Sequence, residues 1–173
     1  MEKRLTPKNY MTELEIKKAK LPRDLKILEQ LDTLSFPEYQ DQIYKESWEK
    51  YQNYIVFVNK KPVGYRSVQP HTGLYDYATD THEKKREALH LTSVGIIPRF
   101  RRKGLGTLLI TWAIAYARLG KFESMNATCR KSNKPIIALL KKTGFKITSE
   151  IKNFYPDGET AVVEEYFLKK SRF

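Results

Sequence analysis

The order of elements along the chain predicts an α+β (mixed α/β) fold, a mixed sheet of about seven strands with helices on both faces. Three observations carry this. Read by hydrophobic period, the chain runs β-α-α-β-β-β-α-β-α-β-β, with strands and helices interleaved and no regular βαβ series. A length of 173 residues makes one ordinary domain, able to bury a core without disulfide or metal staples. Hydrophobic residues at 40% and charged residues at 30% belong to a folded chain rather than a disordered one.

Residues 1–10 read as a polar lead-in and residues 11–173 as a single domain. Leu14 and Ile16 alternate with charged residues, as in a short strand over 13–18. Pro22 opens a helix with Leu25, Leu28, Leu31 and Leu34 at every third position, and Phe36-Pro37 ends it. A second amphipathic helix follows, with Ile43, Trp48 and Tyr51 near one face and Asp41, Lys45, Glu46 and Glu49 turned mostly away. Tyr54–Val58 is β-branched and aromatic, Asn59-Lys60-Lys61-Pro62 turns the chain, and Val63–Val68 returns as the hairpin partner. Residues 69–86, polar and of mixed charge with His71 and His82 among them, read as a long surface loop. Ala88–Ile97 is the next strand. Leu105–Leu119 is a strong helix, with Leu105, Leu108, Leu109, Trp112, Tyr116 and Leu119 at helical spacing and Gly120 as its stop. Ser124–Arg130 is a strand. Ser132 or Asn133 caps a short helix with Pro135 in its first turn and Gly144 past its end. Phe145–Ile151 and Ala161–Leu168 are the last strands.

Lys and Arg number 32 against 20 Asp and Glu, a formal net charge of +12 that favours polyanions: nucleic acid, the ribosome surface, acidic membranes or a phosphorylated cofactor. The single cysteine, Cys129, excludes an internal disulfide and argues against a cysteine zinc site, so no metal is expected. It also points to a reducing, cytoplasmic setting. The first residues lack the apolar stretch of a signal peptide. The longest uncharged run, Gly104 to Ala117, is shorter than the roughly 17–25 apolar residues of a membrane span.

The chemistry-bearing segment is Arg99-Phe100-Arg101-Arg102-Lys103-Gly104-Leu105-Gly106-Thr107, placed after a strand and at the start of a helix. A helix start leaves about four amide N–H groups without intrahelical partners and carries partial positive charge. Gly104 and Gly106 lack a Cβ, so a phosphate can approach those amides, and the flanking cations attract it. Lys103 precedes the glycines, unlike the lysine of a Walker loop, and Leu109 stands where a dinucleotide fingerprint needs its third glycine. From spacing alone, a basic turn whose glycines merely start a helix stays open beside a pyrophosphate cradle.

Arg101-Arg102-Lys103-Gly104-Leu105-Gly106 resembles the (Q/R)-x-x-G-x-(G/A) signature of the GCN5-related N-acetyltransferases, the GNAT superfamily. Ser132-Asn133, Gly144-Phe145 and Asn153-Phe154-Tyr155-Pro156-Asp157-Gly158 extend the resemblance. Within the superfamily the chain is most similar to the protein N-terminal (Nα) acetyltransferases, through Phe36-Pro37, the segment Arg130 to Asn133 and the turn Tyr155 to Glu159. The resemblance covers roughly residues 12–170.

It implies a splayed mixed sheet, with acetyl-CoA in the gap between the strand at 88–97 and the strand at 124–130. The backbone of Val94, Gly95 and Ile96 would pair with the pantetheine arm. Arg101 and the amides from Arg102, Lys103, Gly104, Leu105 and Gly106 to Thr107 would hold the pyrophosphate. Asn133 and the helix after it would line the other side. The implied reaction is direct attack of an amine on the thioester in a ternary complex, without an enzyme nucleophile. His90 is the candidate base: it aligns with a tyrosine base of related Nα enzymes, and its ordinary pKa suits proton acceptance near neutrality. A histidine packed on the sheet with a satisfied hydrogen bond is the competing reading, and Glu87 is a weaker rival base. Phe36, Gln40, Thr92, Phe154 and Tyr155 would line the acceptor cleft, the two phenylalanines suiting a Met or similar first side chain.

Two positions depart from the family. Leu140 stands where many members carry a tyrosine thought to protonate the thiolate, and Thr128 where related Nα enzymes can carry a histidine. The resemblance implies a peptide or protein N-terminus as the acceptor, with ribosome association favoured by the positive charge. Alternatively the acceptor is a polyamine, another small amine or a protein lysine. A nucleic-acid-binding module and a catalytically weak CoA-binding regulator stay open as other classes; oligomeric state is unread.

Overall fold

The structure, a computed structural model, describes residues 13–39, 48–72 and 87–168. Seven strands form one sheet: β1 (Leu14–Lys18), β2 (Gln52–Val58), β3 (Lys61–Thr72), β4 (Glu87–Ile96), β5 (Ser124–Arg130), β6 (Lys146–Ile151) and β7 (Ala161–Phe167). Three α-helices accompany them: α1 (Leu25–Ser35), α2 (Leu105–Leu119) and α3 (Lys134–Lys142). The strand order is β1-β2-β3-β4-β5-β7-β6. Most pairs are antiparallel, as in β1 with β2 from Leu14↔Val58 to Lys18↔Tyr54. The parallel pair is β4 with β5, whose register runs from Ala88↔Ser124 to Leu91↔Ala127. Both strands continue past that pairing, β4 to Ile96 and β5 to Arg130. A mixed sheet results, as the element order predicts.

The described residues fall into two compact units, one from 13–39, 48–67 and 93–101 and one from 68–72, 87–92 and 102–168. In the first, Leu28 and Leu31 of α1 are buried, as are Ile55, Val56 and Val58 of β2 and Val63 and Tyr65 of β3. Tyr65 organises the polar part of this core. Its ring meets Trp48 edge-on at 5.2 Å, and its hydroxyl donates to Asp32 Oδ1 at 2.5 Å and lies 2.8 Å from Ser93 Oγ. Burial raises the Asp32 carboxyl above its ordinary pKa, against the lowering effect of the Tyr65 hydrogen bond.

In the second unit, Leu105, Leu109, Ile110, Ala113 and Ala117 form the buried stripe of α2. Leu89, Met125, Leu140, Phe145 and Val162 fill the same core. α2 and α3 approach closely at Gly106, where a Cβ would stand 2.8 Å from Leu139 Cδ2.

The structure departs from the sequence reading in a few places. The every-third-residue leucines of α1 do not make one face: Leu34 is 55% exposed, and the buried positions are Leu28, Leu31 and Ser35. A spacing of three lags the 3.6-residue turn, so the fourth leucine rotates off the core. Likewise Leu119 ends α2 at 85% exposure. The second amphipathic helix falls largely outside the described residues; what is described is a single 3-10 turn, Trp48–Lys50, and Tyr51 lies beyond it. β3 runs on to Thr72, so residues 69–72 belong to a strand rather than to the expected loop. α2 does stop at Leu119, but Gly120 keeps a right-handed φ of −74° and Lys121 takes the left-handed one at 58°.

Candidate functional site

The candidate cofactor segment begins where β4 ends. Pro98–Phe100 makes a 3-10 turn, with the Arg101 N–H donating to the Pro98 carbonyl at 3.0 Å. The Arg101 guanidinium is spent on the scaffold: Nε donates to the Ile96 carbonyl at 2.8 Å and Nη2 to the Ser35 carbonyl at 2.6 Å. It ties the end of β4 to the C-terminus of α1, a brace the sequence reading did not contain.

Beyond it the chain turns into α2. Arg102 takes φ 60° and Gly104 φ 86°, both left-handed. The turn into the helix requires that conformation, and glycine adopts it without strain. A Cβ built on Gly104 meets no heavy atom within 4 Å, so open space fronts this residue. The first main-chain bond of α2 is Leu108 N–H to the Gly104 carbonyl at 3.0 Å. The amides of Leu105, Gly106 and Thr107 come before it, at the positive end of a 15-residue helix. Arg102, Lys103 and Gly104 are exposed.

His90, on β4, stands in register with Asn126 on β5, and its Nδ1 hydrogen-bonds the Asn126 Oδ1. With Asn126 Oδ1 as the acceptor, the tautomer that fits this bond has its proton on Nδ1 and Nε2 as its basic nitrogen. The ring is half-buried and Asn126 is buried. Asn126 had no place in the sequence reading, because nothing in the chain marks a residue 36 positions away as its partner. Further along β4, the Thr92 Oγ1 is buried without a hydrogen-bond partner. Val94 and Ile96 are half-buried. Gly95 is pressed against Ser35: a Cβ there would stand 2.8 Å from Ser35 Oγ and would collide with the Tyr65 ring.

Of the predicted acceptor residues, Phe36 is half-buried just past α1. Gln40 lies outside the described residues. Phe154 is 38% exposed and meets Tyr155 edge-on at 5.1 Å. Tyr155 is held by Arg130, at the end of β5, whose guanidinium sits 4.0 Å from the ring centroid. The same guanidinium pairs with Asp157 at 2.6 Å and Glu159 at 2.7 Å, and Glu159 also accepts the Ser132 N–H at 2.8 Å. The hydrogen bonds from Ser132 and Arg130 hold the Glu159 carboxyl down at about 2. Asp157 is lowered too, first by the N–H of Glu159 and then by Arg130. One buried arginine thus fastens the 153–159 turn to the approach to α3. The segments Arg130 to Asn133 and Tyr155 to Glu159 drew notice in the sequence only for their resemblance; their mutual pairing did not.

Asn133 caps α3, its side chain accepting the Ile136 N–H at 3.4 Å. Leu140 is 2% exposed, a core residue of α3, and Thr128 is half-buried on β5. Cys129 Sγ lies 3.8 Å from Glu164 Oε2. Burial, with the adjacent carboxylate, pushes its thiol up to about 12, so it stays protonated and is a poor nucleophile. Among the described residues no helix is long and apolar enough to cross a membrane.

A mixed seven-stranded sheet whose β4 leads through a glycine turn into the open amides of a helix is the arrangement that the resemblance to the acetyltransferases implies. Residues 24–145 match the Acetyltransferase (GNAT) family, and the chain belongs to it; it is an N-acetyltransferase. Over 154 residues it is 29% identical to the N-alpha-acetyltransferase of Sulfurisphaera tokodaii, covering 86% of this chain and 90% of that protein. Its fold is similar to that in the NatC complex bound to Gag peptide and CoA, with a TM-score of 0.74 at 15% identity over 91% of this chain and 100% of that one. It is also similar to the Escherichia coli ribosomal-protein-S18-alanine N-acetyltransferase, with a TM-score of 0.71 at 19% identity over 93% and 99%.

Proposed function

We propose that this enzyme moves the acetyl group of acetyl-CoA onto the α-amine of protein N-termini, with residues 11–173 acting as one catalytic domain. The observation that carries the reading is the likeness to an N-alpha-acetyltransferase across 90% of that relative's length. The CoA and peptide named for the NatC neighbour support the cofactor and a peptide acceptor. The net charge of +12 and the neighbour acting on a ribosomal protein support an acceptor met at the ribosome.

The residues present suit the cofactor. The open front of Gly104 leaves room for a phosphate that a longer, acidic side chain would fill and repel. The amides of Leu105, Gly106 and Thr107 can donate to it, and Arg102 and Lys103 supply attraction. The main chain of Val94, Gly95 and Ile96 would orient the pantetheine arm, and Asn133, as the cap of α3, would border it. Arg101 would serve through its brace on Ser35 and Ile96. When bound, acetyl-CoA supplies an activated acetyl group as a thioester.

The protein's part is then positioning, carbonyl polarisation and proton removal. Positioning alone can contribute about 7–11 kcal/mol. A β4 amide, that of Val94, would polarise the carbonyl. His90 would accept the amine proton through Nε2, directly or through water, while Asn126 holds Nδ1. An α-amine with pKa about 7.7–8.0 is substantially neutral near pH 7, whereas a lysine at about 10.4 is neutral in only about one molecule in a thousand. A modest base therefore suffices for N-termini. Phe36, Gln40, Thr92, Phe154 and Tyr155 would shape the acceptor cleft, and water would protonate the thiolate where Leu140 replaces a tyrosine.

The test is a thermal-shift titration with acetyl-CoA, followed by acetylation of peptides varied in their first two residues against lysine peptides and polyamines. The reading expects stabilisation and modification at the α-amine. Preferred turnover of lysine side chains or polyamines would replace it with the alternative acceptor class.

A further inference from the structure

The unexplained charge of the first unit is Arg66. It lies on β3, is 3% exposed, and its Nε is buried with no hydrogen-bond partner. None of the ion pairs among the described residues includes it. Desolvation lowers its pKa to about 10, opposed by Tyr65, so it stays a cation at neutral pH. A buried cation without an anion is costly, and natural chains pair such groups.

Its place on the sheet follows from its neighbours. The Ile97 N–H donates to the Val63 carbonyl at 3.0 Å, which sets these residues opposite one another on antiparallel strands. Counting along both strands brings Tyr65 opposite Gly95, in agreement with the ring contact a Gly95 Cβ would make. The next step brings Arg66 opposite Val94. Tyr65 faces Asp32 of α1, so Arg66 and Val94 share the other face. Cross-strand neighbours on one face stand about 5 Å apart at their Cβ atoms. The Arg66 side chain, its Nε unpartnered, therefore leaves the sheet next to Val94, the residue whose amide is proposed to polarise the thioester.

We propose that Arg66 is a carboxylate receptor for the acetyl acceptor, selecting N-termini that carry an acidic side chain close to the reacting amine. This rests on the N-terminal reading above. A guanidinium presents paired N–H donors that match a carboxylate's two oxygens. The cofactor's phosphates are assigned to the 102–107 segment, which leaves the acceptor as the source of the anion at Val94.

The experiment measures kcat/KM for peptides identical except for Asp or Glu against Asn or Gln at each of the first four positions. Wild type, Arg66→Lys and Arg66→Met are compared at fixed ionic strength, with free acetate as a competitor. Wild type should favour the acid over its amide at one position by about tenfold or more, the scale of a charged hydrogen bond. Arg66→Lys should keep part of that ratio, and Arg66→Met should bring it to one. Acetate should inhibit acidic peptides more than neutral ones, since it competes for the guanidinium that only the acidic side chain engages; equal inhibition of both would overturn the assignment. An acid-to-amide ratio of one at every position in wild type, or a ratio unchanged in Arg66→Met, overturns the assignment. Should Arg66→Met not fold, the wild-type and Arg66→Lys ratios decide. Equal use of acidic and neutral peptides sinks Arg66 alone, whereas no acetylation of any peptide sinks the acceptor reading and this one with it.

Discussion

The 102–107 turn and the 153–159 turn hold themselves in opposite ways. The first is shaped by main chain: a left-handed Gly104 at φ 86°, open space before it, and helix amides ahead of the first α2 hydrogen bond. The second is shaped by side-chain charge, with Arg130 gripping Asp157, Glu159 and the face of Tyr155. A main-chain site is broken by adding atoms, and a side-chain site by removing them. Substitutions at the two should therefore fail differently.

The largest effect is expected at Gly104. Gly104→Glu puts a carboxylate where a diphosphate would sit and should abolish acetyl-CoA binding by calorimetry. Gly104→Ala fills no occupied space but must hold a left-handed φ, so it should lose about 1 kcal/mol of stability and keep measurable binding. Equal binding by the two variants would remove the contrast.

Next comes His90→Ala, expected to lower kcat by about a hundredfold while acetyl-CoA affinity changes little. Asn126→Leu should produce a smaller loss and a shifted pH–rate profile, because Nδ1 loses its acceptor. A His90→Ala profile matching that of wild type would take His90 out of the proton path.

On the acceptor side, Arg130→Met should raise peptide KM by about tenfold and leave acetyl-CoA binding nearly intact. The same variant carries a pH signature. Glu159 is held at about 2 against an ordinary 4.5, so its stabilisation is complete above 4.5 and disappears as pH falls through 2. Wild type should lose stability across that acid window more steeply than Arg130→Met, as read by urea unfolding at each pH.

The smallest effect belongs to Glu164. Burial raises its carboxyl to about 7, so the folded chain keeps a proton that the unfolded chain releases above 4.5. Stability should then fall as pH rises from 4.5 to 7, and Glu164→Gln should flatten that slope. Parallel slopes in the two proteins would show that Glu164 is ionised in the fold.

The same contrast explains what was legible in the sequence. Local signals survive translation into structure: α2 spans Leu105–Leu119 and β5 Ser124–Arg130, the ranges that periodicity marks out. The Gly104 turn is equally local. The polar networks are not local. Arg130 meets Asp157 from 27 residues away and Tyr65 meets Asp32 from 33, and no spacing rule joins such pairs before the sheet is assembled. Leu34 shows a subtler limit: leucines at threes look like a face, yet helical rotation leaves the last of them in solvent.

The central claim is that the amides opening α2 receive the cofactor's diphosphate, and amide hydrogen exchange at residues 102–107 tests it directly. CoA should slow exchange at Leu105, Gly106 and Thr107, while pantetheine, which lacks the diphosphate, should leave these amides unprotected. Protection by both compounds alike, or by CoA only at other residues, would contradict the account.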